Sequence, residues 1–514
     1  MSLSSAFNII SSSFVANAAQ TALISSNIAN ANTKGYSTKT ANVATASYGG
    51  VEVSSITRAA DGALLDQVLQ STSQSASQQA LSKGLTTLAA TVSDSASASS
   101  SSGSTQNGQS PSAMLSNLQS ALATYQASPS SLSAADAVVT AANNLAGSLN
   151  SASATVQQVR SQADSDMASA VTTINSLLNQ FEQANNTVVN GLATGADVTN
   201  AEDSRDQILT QLSQQIGIST VTSSNGSVSI YTDSGVTLFQ GTPRTVSFAP
   251  STTLTAGVSG NAVMVDGVAI TGASSPMPIQ SGALAGLATL RDTVAPEYQA
   301  QLDQIANGLI SAFAETPQSA PAAASPTPPA SLPGLFTFQG ATGMPASATG
   351  LAVLIKVNPS VDPSQGGNVN LLRDGGIADP SDTYPSTSGG SVYAYNTTGA
   401  ASYTGRIAQL IAGITTAQSF DPAAGLGSSD SLADYANASV SWLQGQNQQT
   451  SDAATYQNSL LTQATGALSN ATGVSLDAEM TNMLNLENTY TTSAKLLNTV
   501  TDMFNSLLAA VPSR

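Results

Sequence analysis

Apolar residues near the start fall at Leu3, Phe7, Ile10 and Phe14 and again at Ile24 and Ile28, with Asn17 and Thr21 in the two intervening heptad places. Steps of three and four put these positions on one side of a 3.6-residue helix, so the spacing predicts an amphipathic helix with a narrow seam. Asn30, Asn32 and Gly35 then signal a helix stop and a turn, and segments such as Gly50-Val51-Glu52-Val53 read as an extended arm. The opposite end repeats the pattern: Leu476, Met480, Met483, Glu487, Tyr490, Ala494, Leu497, Thr501, Phe504, Leu508 and Val511 keep one register. Ser475 is placed to cap that helix, with Asp477 and Glu479 in its first turn, where negative charge complements the helix dipole. Each seam is long and lacks nearby apolar sequence to cover it, so the simplest burial is against the other terminus or against neighbouring copies.

Between the ends, residues 62–94 and 112–215 carry Ala, Leu, Gln and Ser at helical spacing, broken by a Ser-rich stretch from Ser93 to Ser110 that reads as a flexible loop. From Ile216 the texture turns to Thr/Val/Ile alternation with the turn pairs Asn225-Gly226 and Asp266-Gly267, the signature of hairpins. Helical spacing returns from Gly282 to Ala314, and Pro321, Pro326, Pro328, Pro329 and Pro333 then read as a stiff linker into a Gly/Ser/Thr-rich region. Beyond Tyr403 the pattern is helical again through Gln463. The expected fold is α+β, multidomain and elongated. Residues 1–61 and 472–514 form a coiled-coil-like domain of paired N- and C-terminal helices with the arm. Residues 62–215, 281–316 and 401–471 form a long-helix bundle, 216–280 a β-rich insert, and 317–400 a second, Pro/Gly-rich insert.

Composition narrows the chemistry. The 514 residues include no Cys and no His, which removes thiolate and imidazole metal sites, Cys nucleophiles and any Ser/His/Asp triad. Thirteen Lys and Arg against thirty Asp and Glu give a formal charge of −17, which repels phosphate backbones and anionic lipid alike, so neither nucleic acid nor membrane is an expected partner. Charged residues are only 8%, so the surface must be neutral and polar, a kind suited to packing against copies of itself. The start lacks the basic and apolar regions of a secretory signal, no run is long and apolar enough for a membrane span, and any export is expected to use another route. Walker-type and GxGxxG elements are missing, and no cofactor or metal is expected.

Ser26-Asn27-Ile28-Ala29-Asn30-Ala31-Asn32-Thr33-Lys34-Gly35-Tyr36-Ser37 resembles the N-terminal signature of flagellar rod, hook and hook-associated proteins. Its Gly-Tyr-Ser ending is similar to the hook-associated protein 1 family, although the basic residue usual after the Ser is here Thr38, with Lys39 next. The run from Gly473 to Met480, continuing through Tyr490 and Ala494, resembles the terminal helix of the same families. Asp203 to Leu209 through Gly217-Ile218, and Ser281 to Leu287 through Arg291-Asp292 and Tyr298 to Asp303, resemble segments of the hook-associated protein 1 family in particular. The resemblance implies a non-enzymatic homo-oligomer in a tubular layer between hook and filament, with the paired terminal helices lining the inner tube. Its implied partners are hook protein, an adjacent hook-associated protein or filament subunits, and a dedicated cytoplasmic export chaperone. Its implied location is the extracellular flagellum, reached unfolded through the flagellar type III apparatus. In this reading Leu3, Phe7, Ile10, Phe14, Ile24 and Ile28, and Leu476, Met480, Met483, Tyr490, Leu497, Phe504 and Leu508, are assembly seams; Asn27, Asn30, Asn32, Gly35, Tyr36 and Ser37 are the family motif.

Other readings stand beside it. The terminal signatures are shared with hook and distal rod subunits, and the β-rich inserts could instead serve a secreted adhesin or a hydrolase carried on a flagellar scaffold. The carboxylate pairs Asp164/Asp166, Glu202/Asp203 and Glu297/Asp303 offer acid/base chemistry of the glycosidase type, but each is more simply a solvated helix face or first-turn carboxylate. Arg205-Asp206 and Arg291-Asp292 are read as ion pairs between helices ahead of pairs between subunits. Gly282 and Gly286 are read as permitting close helix approach.

Overall fold

The computed structural model describes residues 3–47, 49–93, 110–322, 327–328 and 330–510. The Ser-rich stretch over 94–109, Pro326, Pro329 and Val511 therefore lie outside the described residues. The chain opens with helix α1 (Leu3–Ala29) and an antiparallel hairpin, β1 (Lys39–Thr45) and β2 (Val51–Arg58), whose register runs from Lys39 opposite Arg58 to Thr45 opposite Val51 with a bulge at Asn42/Val43. Gly50 allows β2 to lie on α1: a Cβ there would stand 2.3 Å from the Ser12 hydroxyl, which accepts from the N–H of Val51 at 3.0 Å.

The helical body follows. It consists of α2 (Gly62–Ala89), α3 (Pro111–Ala127), α4 (Leu132–Thr194) and α5 (Thr199–Gln215). The sequence delimits these helices cleanly. Asp61, Ser110 and Ser131 accept from backbone N–H groups at their starts, Pro111 sits where the N–H would be unpaired, and Gly195 ends α4 in the left-handed conformation at φ 71°. With 63 residues α4 is about 95 Å long at 1.5 Å per residue. Its buried positions, from Ala135 through Leu145, Val156, Met167 and Ile174 to Phe181 and Val188, form one stripe along almost its entire length.

Beside the far half of α4 sit two small antiparallel sheets. One holds β3 (Ile218–Thr222), β4 (Val228–Thr232), β5 (Thr237–Gln240) and β6 (Thr242–Pro243); the other holds β7 (Val246–Ser247), β8 (Met264–Val265) and β9 (Val268–Ala269). Asn225-Gly226 turns β3 into β4, and Asp266-Gly267, at φ 47° and 83°, turns β8 into β9 as a tight hairpin requires. Phe181 of α4 meets Phe239 of β5 edge to face at 5.0 Å, worth about 0.5–1.5 kcal/mol beyond the area buried.

Helix α6 (Ala283–Thr289) runs through a π turn, Leu290–Val294, into α7 (Ala295–Ala312). Gly286 fits close helix approach: a Cβ there would stand 2.2 Å from the Ser77 carbonyl of α2. The segment 317–400 contains β10 (Phe336–Phe338), α8 (Leu351–Leu354), β11 (Ile355–Val357) and α9 (Leu371–Asp374). Read from sequence as an insert behind a stiff linker, it instead folds back at once, with Glu315 and Leu332 exchanging backbone hydrogen bonds of 2.8 and 2.9 Å. Its Phe336, Ile355, Val357 and Leu372 join the same apolar core as α4 and α7, because Phe336 packs edge to face on Phe313 at 5.1 Å and Asn150 of α4 donates to the carbonyls of Ala352 and Ile355. The carboxylate of Asp303 caps α8, accepting from the N–H groups of Gly350 and Ala352 at 2.8 and 2.9 Å.

The chain closes with α10 (Gly405–Thr415), a short hairpin of β12 (Ala417–Ser419) and β13 (Ser429–Ser431), and two long helices, α11 (Leu432–Thr472) and α12 (Leu476–Ala510). α11 runs antiparallel along α2, and α12 antiparallel along α1. One apolar cluster extends from Leu69 of α2 to Leu443 of α11 and takes in both sheets and the 317–400 segment. Among the described residues, none of its members comes from α1, β1, β2 or α12.

Candidate assembly interface

Asn27 sits near the end of α1 with its side chain fully buried. Its amide nitrogen donates to the Lys39 carbonyl and to Glu479 Oε1, both at 2.9 Å; its amide oxygen accepts from the Tyr36 hydroxyl at 2.8 Å and from the Lys39 N–H at 3.2 Å. One residue thus ties α1, the turn that follows it, the first strand and the first turn of α12. Around it, Asn30 donates to the Ser26 carbonyl and accepts from Thr33, Gly35 takes φ 76° against the side chain of Gln207, and Ser37 is buried. Asn32 is exposed. The turn needs Gly at position 35, since a Cβ there would be both strained and 2.6 Å from Gln207 Cγ.

A second set of contacts leads from the hairpin to α5. Lys39 Nζ lies 3.3 Å from Asp203, contacts Asn200 Oδ1 and covers the Tyr36 ring. Arg58 reaches Glu202 at 3.0 Å, Asp203 at 3.1 Å and Asp206 at 2.7 Å. Burial alone would lower the Arg58 pKa, but Asp206, Glu202 and Asp203 outweigh it and hold the guanidinium above its ordinary value. Thr38 adds two bonds to the α11–α12 corner, from its N–H to the Thr472 carbonyl at 2.8 Å and from its hydroxyl to the Gly473 carbonyl at 2.7 Å.

The two seams are placed differently. On α1, Ile10 and Ile24 are buried, Leu3, Phe14 and Ile28 are half-buried, and Phe7 is exposed. On α12 the residues that lose exposure are Glu479, Leu486, Ser493, Ala494, Leu497 and Val500. That face shares Ala494 and Leu497 with the stripe read in the sequence but is rotated from it. Tyr490 still meets Phe14 edge to face at 5.1 Å and Leu497 is half-buried, but Leu476, Met480, Met483, Phe504 and Leu508 stay exposed, joined by Leu484 and Leu507. Glu487 and Thr501 are exposed as well. The turn has a physical cause: the Asn27–Glu479 bond fixes the start of α12, and the small side chains Ser493 and Ala494 allow α1 to approach there.

Most of the carboxylates that could have served acid/base chemistry are engaged elsewhere. Asp164 is buried against Arg291, which also holds Asp292 and the Asn261 carbonyl, and Asp303 caps α8. Arg205 donates to the Gly226 carbonyl at 2.7 Å, so both Arg-Asp segments act within the chain. Sequence reasoning missed Glu479 as a buried partner and the Lys39–Arg58 cluster. The available signal was the pairing of two bases at the ends of one hairpin in a chain with only thirteen Lys and Arg.

Comparison with known proteins adds the following. Residues 104–320 match the family model for the flagellar hook-associated protein FlgK helical domain, and residues 464–510 match that for the flagellar basal body rod FlgEFG protein C-terminal region. Comparison with curated proteins gives no match. The solved structure of the flagellar hook junction protein FlgK from Burkholderia pseudomallei is similar at 22% identity and a TM-score of 0.40, over 53% of this chain and 46% of that one. The chain thus spans under half the length of that protein.

Proposed function

The chain belongs to the flagellar hook-associated protein FlgK family, and we propose that it forms the junction between hook and filament, exported unfolded through the flagellar type III apparatus and assembled through its terminal helices. It is a structural flagellar protein and not an enzyme. The observation that carries the proposal is the apolar surface that α1 leaves uncovered on α12: Leu476, Met480, Met483 and Leu484 beside the α1 contact, and Phe504, Leu507 and Leu508 beyond it, each between 42 and 61% exposed. Covering the remaining surface of side chains of this size gains about 1 kcal/mol each, roughly half the value for full burial, so a tubular layer of copies, with hook protein below and an adjacent hook-associated protein or filament subunits beyond, supplies a cover that one chain lacks. Before assembly the same stripe needs protection, which a cytoplasmic export chaperone with an apolar groove provides.

The match of residues 464–510 to a rod-protein C-terminal model supports a second reading, a hook or distal rod subunit. Deleting the gene separates the two. Cells that keep hooks, lack filaments and shed filament monomer, and are rescued by the full chain but not by versions lacking residues 1–35 or 476–514, have lost a junction protein. Cells without hooks have lost a rod or hook subunit, and normal filaments overturn both readings.

A further inference from the structure

Lys39 and Arg58 are direct cross-strand partners at the open end of the hairpin. Like charges opposite one another weaken a two-stranded sheet, so this pair works against the hairpin unless anions lie between them. Here Asp203 is shared by both, with Glu202 and Asp206 on Arg58 and Asn200 on Lys39, all from α5. Further hydrogen bonds cross this joint: Thr38 to the Thr472 and Gly473 carbonyls, and Gln207 to the Lys34 carbonyl at 3.3 Å. The apolar cluster of the body stops short of it. The unit of α1, hairpin and α12 is therefore aimed by charge and hydrogen bonds rather than by a shared core.

We propose that Lys39, Arg58 and Asp203 are the positioning residues of assembly, setting the direction in which the α1–α12 pair leaves the helical body. This rests on the junction reading above. The hairpin is paired to its open end where it docks on α5, so in this proposal the direction of the terminal pair and the closure of that end are one event. Arg58 fits this task better than Lys would, because one guanidinium fork reaches three carboxylates at once.

The chain has no Cys, so the double variant Thr492→Cys/Asn179→Cys in the full protein carries two spin labels, on α12 and on α4, and no others. The expected result is a narrow label-to-label distance in the wild-type background, widened by more than about one helical turn, ~5 Å, in Arg58→Ala. Asp203→Ala should widen it further, since it leaves the two cations facing each other, and adding Arg58→Ala to Asp203→Ala should narrow it again. Arg58→Lys should fall between wild type and Arg58→Ala. A control, Leu145→Ala, should lower the melting temperature of the body and leave the distance unchanged. A wild-type distance that Arg58→Ala does not alter, or a wild-type distribution already as broad as the variant's, overturns the proposal. Failure of the wild-type gene to restore filaments would instead sink the junction reading, because the distances are read without assembly.

Discussion

Replacing Asn27 by Ala would leave Tyr36, the Lys39 N–H and Glu479 without the partner each has in a buried place. The expected loss is roughly 2–3 kcal/mol, confined to the α1–α12 unit and visible as faster amide exchange in both helices with α4 unchanged. Glu315 poses a different question. Its side chain is fully buried, and Oε2 accepts from the Ala378 N–H at 2.9 Å. Burial lifts this carboxyl above the ordinary glutamate range, against the pull of the Ala378 N–H and the charge of Arg406. A raised carboxyl favours folding while it is protonated, so this contribution is present below the ordinary range and lost as pH rises through the lifted value. Glu315→Gln cannot ionise. Its melting temperature should gain on wild type as pH rises across that window, and a gap that stays flat would show that Glu315 titrates normally.

At the scale of elements, the exposed stripe of α12 should be dispensable for folding and necessary for assembly. Met480→Ser with Leu484→Ser should change melting by no more than about 0.5 kcal/mol per site, since both residues are about 60% exposed, and should abolish filaments. Filament growth at the wild-type level would remove the stripe from the interface. How far these elements could be read from sequence differs from case to case. The helices were legible through their spacing and caps, and the hairpins through Asn225-Gly226 and Asp266-Gly267, because those signals are local. The orientation of α12 was not, since counting apolar positions finds the stripe of Leu476, Met480 and Met483 while the contact with α1 is decided by Glu479 and two small residues. The prolines after residue 320 read locally as a linker, but the pull of Phe336 and Ile355 into the body is a property of distant packing. The charge cluster was hidden for the same reason: Arg58 and Asp203 are 145 residues apart along the chain.

For the whole molecule, the limit of the apolar core predicts two cooperative units. Calorimetry of the full chain should show two transitions, the lower one belonging to the terminal pair and moved by Asn27→Ala, the upper one to the body and moved by Leu145→Ala, which removes a fully buried side chain at a cost of about 2–5 kcal/mol. A single transition shifted alike by both substitutions would mean that the polar joint couples the units as firmly as a core does.

The helix α4 also has a mechanical meaning. Its buried stripe is supported along almost the entire 63 residues by one continuous core, so the body behaves as a braced beam and resists flexing at any single point. The terminal pair is mounted on that beam through ion pairs and a few hydrogen bonds. Under torque, compliance should concentrate at the mount while the beam stays straight, so the tube proposed above would absorb changes of curvature at the root of each subunit.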